Sequence, residues 1–385
     1  MVEYGSSFPA MRAVGARQAI RDTIFGMSGE HLAPEATTVF EALEDAGLEP
    51  AAINFTCYRG RTRHPLRLPA LARRNRWYEA TYGPRHFFFY NLFESERTGA
   101  PLAVRSRTEG SIDEYAAVVG RWLVTRDAFD FLVFYLPDYD YASHHSGPDG
   151  AADALERSDR ALGRLLEAAG GADEFLGRYA VLVASDHGQT PVERLARLQD
   201  SFPESLEGVL PLASNRAGMV YRLPGCRLEA RELAERLDEE PGADVVLFAE
   251  DGAAVARRDG VELRFALEGE EWRLEGDPVV LDPERYPNGL ERTWRALAAP
   301  TAGDLLVSAT EGWELVDGGG RHHLGGGSHG SLVAGDTYVP LVAAGFDDSP
   351  LPSDPAITDL APLALAHFGI PAPASMQKTR EAARA

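Results

Sequence analysis

The chain has 385 residues, enough for one large α/β domain or two ordinary ones. Its 44% apolar and 25% charged residues are the mixture of a folded globular protein and exclude a disordered chain. With 59 acidic against 38 basic residues the net charge is −21, a surface that repels nucleic-acid polymers and anionic membranes.

No run of about 18 apolar residues is present, so no membrane span is expected. The stretch Met1 to Ser7 has neither a basic nor an apolar region, so it is not a signal peptide, and the cytoplasm is the expected compartment. Cys57 and Cys226 form no C-x-x-C pair and read as free thiols.

Taken in chain order, Arg12, Arg17 and Arg21 fall roughly on one helical face, either solvated or lining an anion path. Thr38 and Glu41 form a capping box, Val39, Phe40 and Leu43 give the helix behind it one apolar face, and Gly47 ends it. The aromatic run Phe87 to Tyr90 reads as buried core, with a base-stacking platform as the alternative. Asp130 to Leu136, Arg178 to Ala184 and Val339 to Ala344 are apolar runs without alternation, the pattern of parallel strands covered on both faces. Between the first two, residues 152–169 place Leu155, Leu162, Leu165 and Leu166 on one helical stripe, with Glu156 and Arg160 paired outside.

Strand, helix, strand in this order predicts a doubly wound, mostly parallel α/β sheet. Residues 217–282 read differently. The strand-like pieces Gly218 to Leu223, Asp244 to Phe248, Val261 to Leu267 and Trp272 to Leu274 are separated by Gly, Pro and acidic clusters. This is expected to be a small, mostly β insertion, drawn at 217–299. Leu305 to Ser308 return to the core pattern, so the core is expected at 1–216 and 300–375, with a flexible tail at 376–385.

Four of the ten histidines, His144, His145, His187 and His329, lie in three short motifs. In the first, Asp140 and His144 sit in a loop after a strand and could both reach one cation; a polar surface loop is the plain alternative. In the second, Asp186 and His187 follow the next strand, and Gly188 permits the sharp turn that joint ligation needs. The third, Gly325 to Gly330, carries His329 in a glycine-rich loop whose N–H groups could meet an anion. His322 and His323, just before it, read as solvent-exposed. Two Asp and three His in three motifs suit a pair of metals ~3.5–4 Å apart, the demand of phosphoryl hydrolysis.

At these residues the chain resembles the alkaline phosphatase superfamily, in its type I phosphodiesterase/nucleotide pyrophosphatase branch. Asp140, His144, Gly147 and Pro148 match its Asp-x-x-x-His-x-x-Gly-Pro motif. Ser185 to Gly188 match Ser-Asp-His-Gly. Gly327, His329, Gly330, Asp336, Val339 and Pro340 match its late Gly-x-His-Gly, Asp and Val-Pro pattern. The resemblance spans about residues 4–372. It implies an alkaline-phosphatase-like fold and hydrolysis of small phosphate esters, by a phosphodiesterase, nucleotide pyrophosphatase or phosphatase. It implies that Asp140, His144 and His329 hold one divalent metal, usually zinc. Asp186 and His187 would hold a second, together with a further Asp and a Ser or Thr nucleophile that forms a covalent intermediate.

Two departures accompany the resemblance. The family opens with a strand ending in Asp, and no such strand precedes the first motifs here, so the N-terminal strand and its ligand are expected to be missing. The register that places the nucleophile directly before Phe-Pro gives Ser7, with Ser6 beside it; the register three residues after Pro gives Arg12, which is no nucleophile. The stretch Phe25 to His31 is also a degraded form of the family's Thr-Gly-x-x-Pro-x-x-His-Gly. The competing expectation is a degraded member that binds metal or phosphate without turnover.

Overall fold

The computed structural model describes residues 27–29, 32–65, 80–89, 111–202, 207–316, 322–346 and 351–376. Ser6, Ser7, Arg12, Arg17, Arg21, His31, Tyr90 and 377–385 lie outside the described residues.

Helix α1 (Val39–Asp45) starts as expected: Thr38 Oγ1 accepts from Glu41 N at 3.1 Å and Glu41 Oε2 from Thr38 N at 2.9 Å. The chain then enters β1 (Pro50–Ile53), β2 (Thr62–Pro65), β3 (Ala80–Gly83) and β4 (His86–Phe88). After α2 (Ile112–Val124) comes β5 (Phe131–Phe134). Strands β4, β1 and β5 form a parallel sheet in that order, with Ala51 paired to His86 on one side and Leu132 on the other. Phe87 and Phe88 have no exposure, so these two rings are core.

The first histidine motif is a helix rather than a loop. Directly after β5, Pro137 leads into α3 (Asp138–Ser146), which carries Asp140 and His144 one turn apart on the same side. Helix α4 (Ala152–Ala169) has the expected bounds but a different buried stripe. Ala154, Ser158, Ala161 and Leu165 face inward, and Leu155 is 57% exposed. Small residues win because α4 lies close against α2: a Cβ at Gly120 would come within 2.9 Å of Leu165. The Glu156–Arg160 pair forms outside at 3.3 Å.

Past α5 (Ala172–Leu176) runs β6 (Val181–Ala184), followed by β7 (Thr190–Pro191) and β8 (Arg194–Arg197). Strand β6 pairs antiparallel with β18 (Leu341–Ala344), not parallel as the apolar pattern suggests. Its coverage is incomplete as well: Val183 is 42% exposed and its cross-strand partner Val342 is 61% exposed.

A second sheet follows, built from β9 (Val209–Ser214), β10 (Ala217–Arg222), β11 (Ala243–Glu250), β12 (Ala253–Arg258), β13 (Val261–Glu268), β14 (Glu271–Gly276) and β15 (Leu305–Ala309). Its seven antiparallel strands lie in the order β14-β13-β12-β11-β15-β10-β9. It is not β alone. Helix α6 (Ala230–Asp238) puts Leu233 and Leu237 on one face, against Val246, Phe248 and Val307. Helix α7 (Gly289–Ala298) puts Trp294 and Leu297 on the other, against Val245, Leu247 and Leu306. Strand β15 does not rejoin the first sheet. Its five residues are all buried, which suits a central position covered on both faces. The chain continues through β16 (Trp313–Val316), which pairs with β8, and β17 (Gly327–Ser328), which pairs with β7, before β18 and α8 (Leu360–His367).

Three ties bring α3, the segment after β6 and the glycine loop together. Arg216 and Asp336, both with fully buried side chains, pair at 2.8 Å. Gly188 N donates to Asp336 O at 2.9 Å, and a Cβ on Gly188 would fall 2.1 Å from Gly335 O. Gly188 is therefore required for close backbone approach. At Gly326 a Cβ would fall 2.1 Å from His144 O, so the glycine run lets β17 lie against the end of α3. The N–H groups of Gly325 and Gly326 donate to Val192 O and His323 O, so they are not offered to an anion.

Asp113, with no exposure, ties the starts of α2 and α3 to α4. It accepts from Asp138 N at 3.1 Å and from Ser158 Oγ, while Asp138 Oδ1 accepts from Ile112 N at 3.1 Å.

Two outcomes test this packing. Gly326→Ala must push backbone apart and should lower stability by ~1–3 kcal/mol in urea or thermal unfolding; a variant as stable as the parent would mean the loop can move aside. Burial raises the Asp113 carboxyl to about 6. The folded state then holds that proton more tightly than the unfolded state does. The stability it contributes is complete below the unfolded value near 3.8 and is lost as pH rises through about 6. The stability difference between parent and Asp113→Asn should therefore shift by up to ~3 kcal/mol between pH 4 and 7, and a difference flat with pH would contradict it.

Candidate metal centre

Four of the five predicted ligands meet around one atom, Asp140 Oδ1. It lies 3.4 Å from His144 Nε2, 3.9 Å from His187 Nε2 and 3.9 Å from His329 Nε2. These residues come from α3, from the turn after β6 and from the segment after β17. The fifth, Asp186, is half-exposed, with its Oδ1 3.6 Å from His187 Nε2. The Tyr135 hydroxyl, at the end of β5, is hydrogen-bonded to it. Asp140, His144 and His329 each offer one atom within 4.8 Å of the others, a set that could hold a metal ion.

The protonation pattern follows from the partners. A carbonyl oxygen only accepts, so His144 Nδ1 donates to Gly327 O at 2.9 Å and Nε2 is the nitrogen turned to Asp140. His187 Nδ1, 3.1 Å from Gly188 O, is arranged the same way. His329 Nε2 accepts from Asn215 Nδ2 at 3.3 Å. Burial, then the facing His187, His144 and His323, push the His329 imidazole down to about 3. Its ring stacks on His187 with centroids 3.5 Å apart, so both cannot carry charge cheaply. Burial raises the Asp140 carboxyl, and His144 and His187 oppose that rise. Three imidazoles converging on one carboxylate oxygen are the donor set of a zinc-like cation, and the residues present fit such an ion.

Other residues at the centre were not singled out from sequence. Gln189, directly after the Ser-Asp-His-Gly motif, donates Nε2 to Asp140 Oδ1 at 2.6 Å and fixes that carboxylate. Glu314, 1% exposed on β16, accepts from His323 Nδ1 and His323 N, each at 2.6 Å, and from Ser328 Oγ at 3.1 Å. The His323 ring therefore leaves solvent and stacks on His144 with centroids 4.0 Å apart, whereas His322 is exposed as expected. A signal for this existed: Glu314 is a lone carboxylate in the apolar run Trp313 to Val316, and such a group must find a partner. Asn215, at the tip of the β9–β10 hairpin, carried no such signal. Asp336, matched in the third motif, does not reach the imidazoles; it anchors Arg216 and the Ser331 N–H and hydroxyl.

Among solved structures, phosphonoacetate hydrolase from Sinorhizobium meliloti 1021 in complex with phosphonoformate has 17% identity, covering 87% of this chain and 74% of that one, with TM-score 0.48. Murine ectonucleotide pyrophosphatase/phosphodiesterase 5 has 16% identity, covering 80% of this chain with TM-score 0.45; the chain spans 63% of its length. Among curated proteins none matches. The family described as type I phosphodiesterase / nucleotide pyrophosphatase matches residues 33–332, well over half the chain and all three histidine motifs. The chain belongs to the type I phosphodiesterase/nucleotide pyrophosphatase family, whose members are phosphoric ester hydrolases.

Proposed function

We propose that this chain hydrolyses small phosphate esters with two divalent cations, zinc foremost. Asp140, His144 and His329 hold one, and Asp186 and His187 contribute to the other. The observation that carries the reading is the convergence of three imidazole Nε2 atoms within 3.9 Å of Asp140 Oδ1. Imidazole nitrogen and carboxylate oxygen gathered at one point are the donors a divalent cation takes. The net charge of −21 points the same way, because an anionic substrate needs local positive charge to approach.

Bound divalent cations supply Lewis acidity toward phosphoryl oxygens and lower the pKa of an attacking hydroxyl. The chain's own residues do the rest. Gln189 and the Gly327 carbonyl hold Asp140 and His144 in their ligating orientations. Ser7, directly before Phe8-Pro9, is the hydroxyl we assign as nucleophile. Burial keeps His329 neutral, so its nitrogen remains available as a ligand. In the same reading β5 and β6 belong to one doubly wound layer, with a further strand between them; the incomplete burial of the apolar side chains of β5 and the exposure of Val183 on β6 support it. The seven-stranded sheet is the insertion on that body.

Three measurements test the assignment. The full chain loaded with zinc should cleave p-nitrophenyl phosphate monoesters or diesters. Chelation should abolish turnover, and Asp140→Ala should lower both metal content and rate, the rate by at least ~10³-fold. Hydrolysis that persists when elemental analysis finds no metal would end the proposal. Stoichiometric metal without any turnover would mark a binding protein instead. Ser7→Ala should stop turnover and leave metal content unchanged.

A further inference from the structure

One polar side chain at the centre comes from the second sheet. Asn215 sits at the tip of the β9–β10 hairpin with φ 56°, a left-handed conformation that Asn and Gly tolerate best. That accounts for the residue type at the turn. It does not account for where the carboxamide goes: Nδ2 lies 3.3 Å from His329 Nε2 instead of in solvent. The placement is built in from both sides. Asn215 O accepts from Leu315 N at 2.9 Å, and Arg216 N donates to His329 O at 2.9 Å. The Arg216 side chain, with no exposure, is fixed by Trp313 O, Thr310 O, Thr190 and Asp336.

His329 Nε2 is the atom that would face a cation. Once a cation holds that lone pair, the Asn215 amide loses its acceptor. Its N–H groups remain beside the cation, where a phosphoryl oxygen bound to that cation would lie. We propose that Asn215 is a substrate contact, donating Nδ2–H to a non-bridging phosphoryl oxygen. This rests on the hydrolase reading above. A neutral donor held rigidly in advance is the kind of group that stabilises charge developing on such an oxygen.

The test uses Asn215→Gly and Asn215→Asp in the full chain loaded with zinc. Glycine suits φ 56° at least as well as asparagine, so the hairpin keeps its turn while the amide is lost. Aspartate keeps the shape but cannot donate. The readouts are metal content by elemental analysis, orthophosphate affinity by calorimetry, and kcat/KM on p-nitrophenyl esters. Both variants should hold as much zinc as the parent. Asn215→Gly should bind orthophosphate about tenfold more weakly and lose ~10²-fold in kcat/KM, and Asn215→Asp should lose more. If the glycine variant fails to fold, the aspartate variant gives the same answer.

Parent-like phosphate affinity in Asn215→Gly would make Asn215 a turn residue and overturn the proposal. Loss of zinc in either variant would overturn it too, making Asn215 a support for the ligand. If the parent binds neither zinc nor orthophosphate, the hydrolase reading fails and this contact fails with it. A parent that binds both, matched by its variants, removes only the role of Asn215.

Discussion

The Arg216 and Asp336 side chains are both fully removed from solvent, and the histidine cluster hangs on their pairing. Burying two charges is expensive: each ion loses several kcal/mol of hydration even after relaxation, roughly what a close pair returns. Such a pair rarely adds net stability over apolar residues of the same size. Its value is positional. The Arg216 guanidinium reaches Thr310 O and Trp313 O on one side and Thr190 and Asp336 on the other. Asp336 Oδ2 accepts from both the Ser331 N–H and hydroxyl. Because every charged atom needs its partner, the segments around residues 190, 216, 310 and 331–336 cannot slide independently. His329 lies inside that clamp, and Arg216 N holds its carbonyl.

The glycines serve the same end by a different route. A Cβ at Gly188 or Gly326 would run into backbone oxygen at 2.1 Å. The two positions are glycine because backbones meet there, and those meetings bring His187 and His144 toward His329. The imidazoles then crowd within ring-stacking distance. Crowding and burial keep His329 neutral. Packing therefore sets the protonation state, and the protonation state sets what the cluster can bind.

The histidine motifs were legible from sequence because each lies directly after a strand or beside β17 and carries residue types with few other uses in such places. Their convergence was not legible: it depends on ties such as Arg216–Asp336, 120 positions apart. Local periodicity was read well where one element packs on one neighbour, as at Thr38–Glu41. It failed where tertiary context decides. Leu155 fits the apolar stripe of α4 but is exposed, since close approach to α2 selects the smaller Ala154, Ser158 and Ala161. Leu305 to Ala309 look like any buried strand, and a run apolar on both faces does not say which of two covered sheets it joins. His323 looked exposed for want of a visible partner, and the partner, Glu314, lies nine positions earlier on β16.

The second sheet is not a separate appendage. Strand β15 lies at its centre, and the chain passes from it through β16, which pairs with β8, to the glycine loop. Glu314 on β16 binds both His323 and Ser328, one on each side of the three glycines. The β9–β10 hairpin ends at His329. Displacing this sheet would disturb the orientation of His329 and the stacking of His323 on His144 before it disturbed α3. The seven-stranded sheet and the histidine-bearing segments therefore share one wall, and changes in the sheet should register at the imidazoles.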